Sequence, residues 1–180
     1  MKLNEKLIES KVLLEFDCFS LNRDTVIMPN NNIKERTYLK HPGGVAILAI
    51  NEKNEIAIVN QYRNSIRMIT KEIPAGKTDK DPSESSIDAA KRELREETGY
   101  IAKDISYLGE TFPSAGVLDE KLEIYFAKNL TKDKMDLDDD EFINIEWIHT
   151  SKFEEMIKER KIIDTKSICA YFMAKLDNLV

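Results

Sequence analysis

Apolar positions along the chain fall first in short alternating runs, then in unbroken ones, and last at helical spacing. From Lys11 to Leu21, apolar side chains at Val12, Leu14, Phe16, Cys18 and Leu21 come close to every second position, which predicts a strand. Asp24–Met28 and Thr37–His41 read as two more short strands. Between them Pro29-Asn-Asn-Asn32 is a turn, since proline fixes the first φ and asparagine tolerates a positive one. Strands this short bury little by themselves and need a partner surface, either the main domain or a second subunit. His41-Pro-Gly-Gly44 marks a junction. Val45–Ile50 is almost wholly apolar and predicts a buried strand, Asn51–Asn54 a turn, and Glu55–Tyr62 a returning strand. Beyond Gln61-Tyr62-Arg63 a loop is expected, leading to Lys71–Gly76, where Pro74 and Gly76 stop any strand.

The period then changes. Asp81-Pro82-Ser83 reads as a helix start, with Ser83 or Ser85 as N-cap, and the helix runs to about Thr98 with Gly99 as the residue after its end. Ile87, Ala90 and Leu94 form its expected buried stripe, opposite an acidic face. Ile105–Thr111 and Lys121–Ala127 read as strands around the loop Phe112–Glu120. Ile143–Ile148 is a strand carrying the only tryptophan, Trp147, as a core residue. Ser151–Lys161 and Ile163–Leu176 are amphipathic helices. The order predicts an α/β domain over residues 43–180, preceded by a small β-subdomain over 1–42.

Composition narrows the function classes. At 180 residues, 42% hydrophobic, the chain can bury a core of one domain. A net charge of −6 argues against bulk binding to nucleic acid or an anionic membrane, yet leaves room for a small phosphorylated substrate held by local arginines and a metal. No stretch reaches the ~18 apolar residues of a membrane span. The N-terminal stretch has neither a long apolar core nor a small-residue cleavage site, and Cys18 and Cys169 lie far apart, outside any metal-ligand spacing. Reduced thiols and a cytoplasmic location are expected. The acidic run Asp136–Glu141 is expected to be a solvated loop.

The candidate chemistry lies in the acidic helix. Glu93, Glu96 and Glu97 stand at i, i+3 and i+4, so their carboxylates share a face, at a cost of a few tenths of a kcal/mol per like-charged pair. Hard oxygen donors on a rigid surface suit Mg²⁺ or Mn²⁺ with substrate phosphates as co-ligands. The plain alternative is a solvated face, its glutamates paired with Lys91, Arg92 and Arg95. Arg92 is expected to orient the carboxylates rather than touch substrate. A diphosphate resists hydrolysis because its oxygens repel a nucleophile, so neutralising cations and an activated water are what a catalyst must supply.

The flanking residues carry more. Arg92-Glu93-Leu94, Glu96-Glu97, Gly99 and Tyr100, with Glu84 before them and Gly76 before that, resemble the Nudix box of hydrolases acting on nucleoside diphosphate derivatives. The one departure is the Gly76–Glu84 interval, two residues longer than in that family. Gln61-Tyr62-Arg63, Glu72–Gly76 and Phe112–Glu120 are similar to the ADP-ribose pyrophosphatase branch, with Ser114-Ala115-Gly116 where that branch usually has Ser-Pro-Gly. The resemblance covers residues from about 9 to 178. It implies an α/β/α sandwich with a mixed sheet and a small antiparallel N-terminal β-subdomain exchanged across a homodimer. It implies a metal site of Glu93, Glu96, Glu97 and the Ala75 carbonyl, and catalytic roles for Glu96 and for Glu120, the general base. Arg63 and Glu72 would bind substrate, though Glu72 could instead salt-bridge Arg63. Arg36 or His41 could reach a substrate base across a dimer. The implied reaction is Mg²⁺-dependent cleavage of ADP-ribose to AMP and ribose 5-phosphate. Open alternatives are another nucleoside diphosphate substrate, a non-catalytic ADP-ribose sensor, and an acidic scaffold protein.

Overall fold

A computed structural model of the chain describes residues 2–78, 83–137, 139 and 141–180. The expected helix start at Asp81-Pro82 and two members of the acidic run, Asp138 and Asp140, lie outside them. The chain packs as two compact units, one of residues 1–43 with 112–121, the other of 44–111 with 122–180.

In the first unit, β1 (Lys6–Glu15), β2 (Ser20–Ile27) and β3 (Ile33–Lys40) form an antiparallel sheet in that order. The single strand expected over Lys11–Leu21 is in fact a hairpin. Its apolar alternation crosses the bend because Phe16 and Phe19 pack ring to ring there, 4.8 Å apart, while the Phe16 N–H bonds the Phe19 carbonyl at 2.9 Å. The asparagine turn forms as its residues dictate, with Asn31 at φ 66°. The loop 112–121 belongs to this unit: the Leu39 N–H donates to the Val117 carbonyl and the Asp119 N–H to the Leu39 carbonyl.

The second unit holds β4 (Gly44–Ala49), β5 (Glu55–Arg63), β6 (Met68–Glu72), β7 (Ala75–Lys77), α1 (Ser86–Thr98), β8 (Tyr100–Thr111), β9 (Leu122–Lys132), β10 (Ile143–His149), α2 (Thr150–Lys158) and α3 (Thr165–Leu176). One sheet runs β7-β4-β9-β8 and is mixed, because β4 lies parallel to β9 while its other pairs are antiparallel; a second runs β10-β5-β6. The unbroken apolar character of β4 follows from burial on both faces. Ala46, Leu48 and Ile50 join Ile58, Phe126, Phe153 and Tyr171 under α2 and α3, while Val45, Ile47 and Ala49 join Ala90, Leu94 and Tyr125 under α1. The unit is therefore an α/β/α sandwich.

Two differences from expectation matter for the site. The loop expected after Arg63 is a tight turn over 64–67 followed by a strand: the chain reverses with Arg67 at φ 55°, and β6 returns along β5. Its residues gave no alternation because Thr70 and Glu72 are polar and buried, held by hydrogen bonds instead of apolar packing. The paired ladder of β8 and β9 also extends past the apolar cores, from Tyr100 opposite Lys132, through polar positions that periodicity does not register. Among the described residues no helix is long and apolar enough to cross a membrane.

Candidate active site

Ser85 caps α1, its side chain accepting the Asp88 N–H, and Gly99 closes it in the left-handed conformation at φ 70°, its N–H on the Arg95 carbonyl. The helix lays Ala89, Ala90 and Leu94 on the sheet. Glu93 and Glu97 were expected on the opposite side, but they too are buried, 7% and 4% exposed. At about 100° per residue, the 93/97 row stands only ~60° from the 90/94 row, so both fit beneath one helix if the sheet leaves room.

Gly76 leaves that room. A Cβ at this position would lie 2.0 Å from the Glu93 carboxyl carbon and 2.2 Å from both its oxygens. The missing side chain is the space the carboxylate fills. One residue earlier, the Ala75 N–H donates to Glu97 Oε2 at 3.0 Å. The acidic row of α1 is thus seated on the backbone of β7.

Arg92 ties the remaining acids together. Its Nη1 contacts Glu93 Oε1 at 2.5 Å and Glu96 Oε2 at 2.9 Å, its Nε and Nη2 reach Glu84, and Nη2 also meets the Lys77 carbonyl. Burial works against its charge, but bonds to Glu84 and Glu93 more than offset this and raise its pKa. Glu97 makes no such ion pair among the described residues, and Lys166 acts on it only through its field. Burial above all, with the nearby charges of Glu93 and Glu141, pushes its carboxyl up to about 8, against the opposing pull of the Ala75 N–H. Among the described residues no three His, Cys, Asp or Glu side chains are gathered as a ready metal cage. The donor chemistry nevertheless fits a hard divalent cation: the acidic row offers only carboxylate oxygens, and Glu97 is buried beside further negative charge.

A second cluster forms where β6 meets the start of α3. Arg63 grips Glu72 through Nε (2.7 Å) and Nη2 (2.6 Å), the Thr70 hydroxyl lies 2.5 Å from Glu72 Oε1, and the Lys166 ammonium bonds Glu72 Oε2. Glu72 is only 4% exposed. Burial alone would raise its pKa, but Arg63, Lys166 and Thr70 together bring it down to about 2. With four donors the carboxylate is saturated. Asp164 caps α3 and accepts from both Lys166 (3.0 Å) and the Ser167 N–H (3.0 Å), while the fully buried Ser167 Oγ takes the Ile73 N–H at 2.8 Å. Sequence reading missed Lys166, Ser167 and Asp164. The signal that could have found the last is an aspartate three residues before a serine at a helix start, the spacing of an N-cap.

Glu120 lies in the other compact unit. Its Oε1 is 3.7 Å from His41 Nδ1, which accepts the Gly43 N–H at 3.1 Å, and the His41 N–H is held by Asp119 at 2.7 Å. Arg36, in the same unit, is taken up by a bidentate pair with Glu5.

Comparison with known proteins agrees with this layout. Over 170 residues the chain is 36% identical to the methanol dehydrogenase activator of Bacillus methanolicus, covering 92% of this chain and 90% of that protein. It is 33% identical to the ADP-ribose pyrophosphatase of Bacillus subtilis (strain 168), again over 170 residues, covering 93% and 91%. A crystal structure of an ADP compounds hydrolase shares the fold over the full length of both chains, with a TM-score of 0.81 at 18% identity. Residues 40–169, which hold the whole acidic row and the Arg63–Glu72 pair, match the NUDIX domain, and the chain belongs to that family.

Proposed function

We propose that the protein hydrolyses the pyrophosphate bond of ADP-ribose, giving AMP and ribose 5-phosphate, with Mg²⁺ or Mn²⁺ as cofactor. The observation that carries this reading is the burial of Glu93 and Glu97 against the backbone of Ala75 and Gly76. A solvated acidic face would need neither a side-chain-free seat nor a carboxyl displaced to about 8. The similarity to the B. subtilis pyrophosphatase supports the choice of substrate.

In this reading Glu93, Glu96, Glu97 and the Ala75 carbonyl hold the cation. When bound, it neutralises diphosphate charge and lowers the pKa of a coordinated water. Arg92 keeps Glu93 and Glu96 in fixed orientation. Arg63 faces the diphosphate and Glu72 serves it indirectly, because its own oxygens are already occupied. Glu96 assists at the metal, and Glu120 is the proposed general base that takes the proton from the attacking water.

The proposed active form is a homodimer. All ten residues of β1 are exposed, including Leu7, Ile8, Val12 and Leu14, a run of apolar side chains that a second copy would cover. Sedimentation at micromolar concentration tests this, and a monomer overturns it. Free thiols at Cys18 and Cys169 fit a cytoplasmic setting.

Incubation with ADP-ribose and Mg²⁺, followed by chromatography for AMP, tests the reaction, and absence of AMP at every pH refutes it. A panel of other nucleoside diphosphate derivatives then identifies a different substrate, and binding without turnover points to a sensor. The similarity to the B. methanolicus activator favours a second reading, in which the chain also activates a dehydrogenase. Methanol dehydrogenase turnover with and without the protein decides it.

A further inference from the structure

Arg63 and Lys166 edge a cleft of about 310 Å³, lined also by Ile66, Thr70, Glu72 and Asp164. The two cations meet the same carboxylate from different sides. Arg63 is the outer member, its side chain 42% exposed, while Lys166 is the inner one at 13%. Lys166 sits 94 residues along the chain from Glu72, on another element, and its hold on α3 is fixed by Asp164.

We propose that Lys166 is a positioning residue for the diphosphate, bracing Glu72 from the start of α3 and through it setting the guanidinium of Arg63. The inference rests on the diphosphate chemistry proposed above. Two physical consequences of the arrangement support it. The first is geometric. The carboxylate is fixed from within by Lys166 and Thr70, so its outer edge presents two oxygens in a constant plane, and a bidentate guanidinium follows that plane. The second is electrostatic. Arg63 and Lys166 balance Glu72 and Asp164, so the cleft is neutral as built. Without Lys166 it carries one net negative charge, and an approaching diphosphate meets repulsion at the arginine meant to receive it.

The neutral variants Lys166→Met and Lys166→Gln and the charge-keeping Lys166→Arg separate this role from mere support of the fold. With ADP-ribose and Mg²⁺, the neutral variants should raise KM on the order of tenfold and leave kcat within about threefold. The difference should narrow as salt is raised, and the arginine variant should restore most of the native KM. A second readout does not need turnover. Without divalent cation, titration with inorganic pyrophosphate should move the Arg63 Nε–H resonance in wild type, and about tenfold more pyrophosphate should be needed in the neutral variants. A neutral variant with native KM and native pyrophosphate titration overturns the proposal, as does one that only melts earlier. If wild type cleaves no nucleoside diphosphate derivative, the reaction reading fails, and the pyrophosphate titration still decides the role of Lys166.

Discussion

Replacing Glu97 by glutamine should make the metal-free protein less sensitive to pH while removing its activity. The carboxyl is 4% exposed and stands at about 8 in the folded protein, against 4.5 for an ordinary glutamate. A raised carboxyl favours folding only while it stays protonated. Its contribution is complete below about 4.5, where the unfolded chain also keeps the proton, and is lost as pH rises towards 8. Each pH unit above 4.5 costs about 1.4 kcal/mol until the folded group itself ionises, so from pH 4 to pH 7 the loss is about 3 kcal/mol. Glutamine cannot ionise, so the stability of wild type relative to Glu97→Gln should fall by roughly that amount over this interval. Using the difference between the two proteins removes every other titrating group from the comparison. The fixed cost of placing an amide beside the Ala75 N–H shifts one curve without tilting it, so the change of the difference with pH is free of it. Urea unfolding of both metal-free proteins at half-unit steps from pH 4 to 8 measures it. Curves that run parallel would show that Glu97 ionises freely in the folded state, and the account of a seat shaped for a cation would fail. Added Mg²⁺ should stabilise wild type most at the alkaline end and leave the variant almost unmoved.

Glu72→Gln should cost about 3–5 kcal/mol by thermal or urea unfolding, because Lys166 and Arg63 lose the buried charge that compensates them. Its carboxyl is depressed to about 2, so its stabilisation is present above about 4.5 and lost as pH falls towards 2; the variant should lack that part of the acid transition. Gly76→Ala should fold yet lose at least a hundredfold in kcat/KM and most Mg²⁺ affinity by calorimetry, since the new methyl occupies the Glu93 carboxylate position. Glu120→Gln should lower kcat by about 10²–10⁴-fold with unchanged melting temperature, the range for a lost general base. Ser85→Ala should cost about 1 kcal/mol of stability and leave KM alone, as a lost N-cap does.

How far sequence reading reached follows from the range of the contacts. The turn at Asn51–Asn54, the caps Ser85 and Gly99, and the doubly buried β4 are each decided by residues within a few positions of one another, and each was legible. The hairpin at Phe16–Phe19 was not, although it is local, because apolar alternation measures which side is dry and not whether the backbone turns. β6 was hidden for a related reason: buried Thr70 and Glu72 satisfy their polarity through partners, so a strand in the interior reads as loop. The same blindness shaped the site. The acidic row of α1 was visible as a pattern, but its side of the helix was misassigned, since charge alone argues for solvent. What reverses that argument lies elsewhere in the chain, in the glycine that opens space for Glu93 and the backbone N–H that receives Glu97. Lys166 is the extreme case, since nothing near it in sequence distinguishes it from any lysine in the first turn of a helix. Its partner Glu72 was singled out with Arg63, but nothing there joined it to Lys166. Only the fold joins them, and the charge balance around Arg63 exists in neither segment alone. Arg92, which also holds carboxylates, was legible because it stands one and four residues from Glu93 and Glu96, whereas a holder supplied by a distant segment leaves no spacing until the chain is folded.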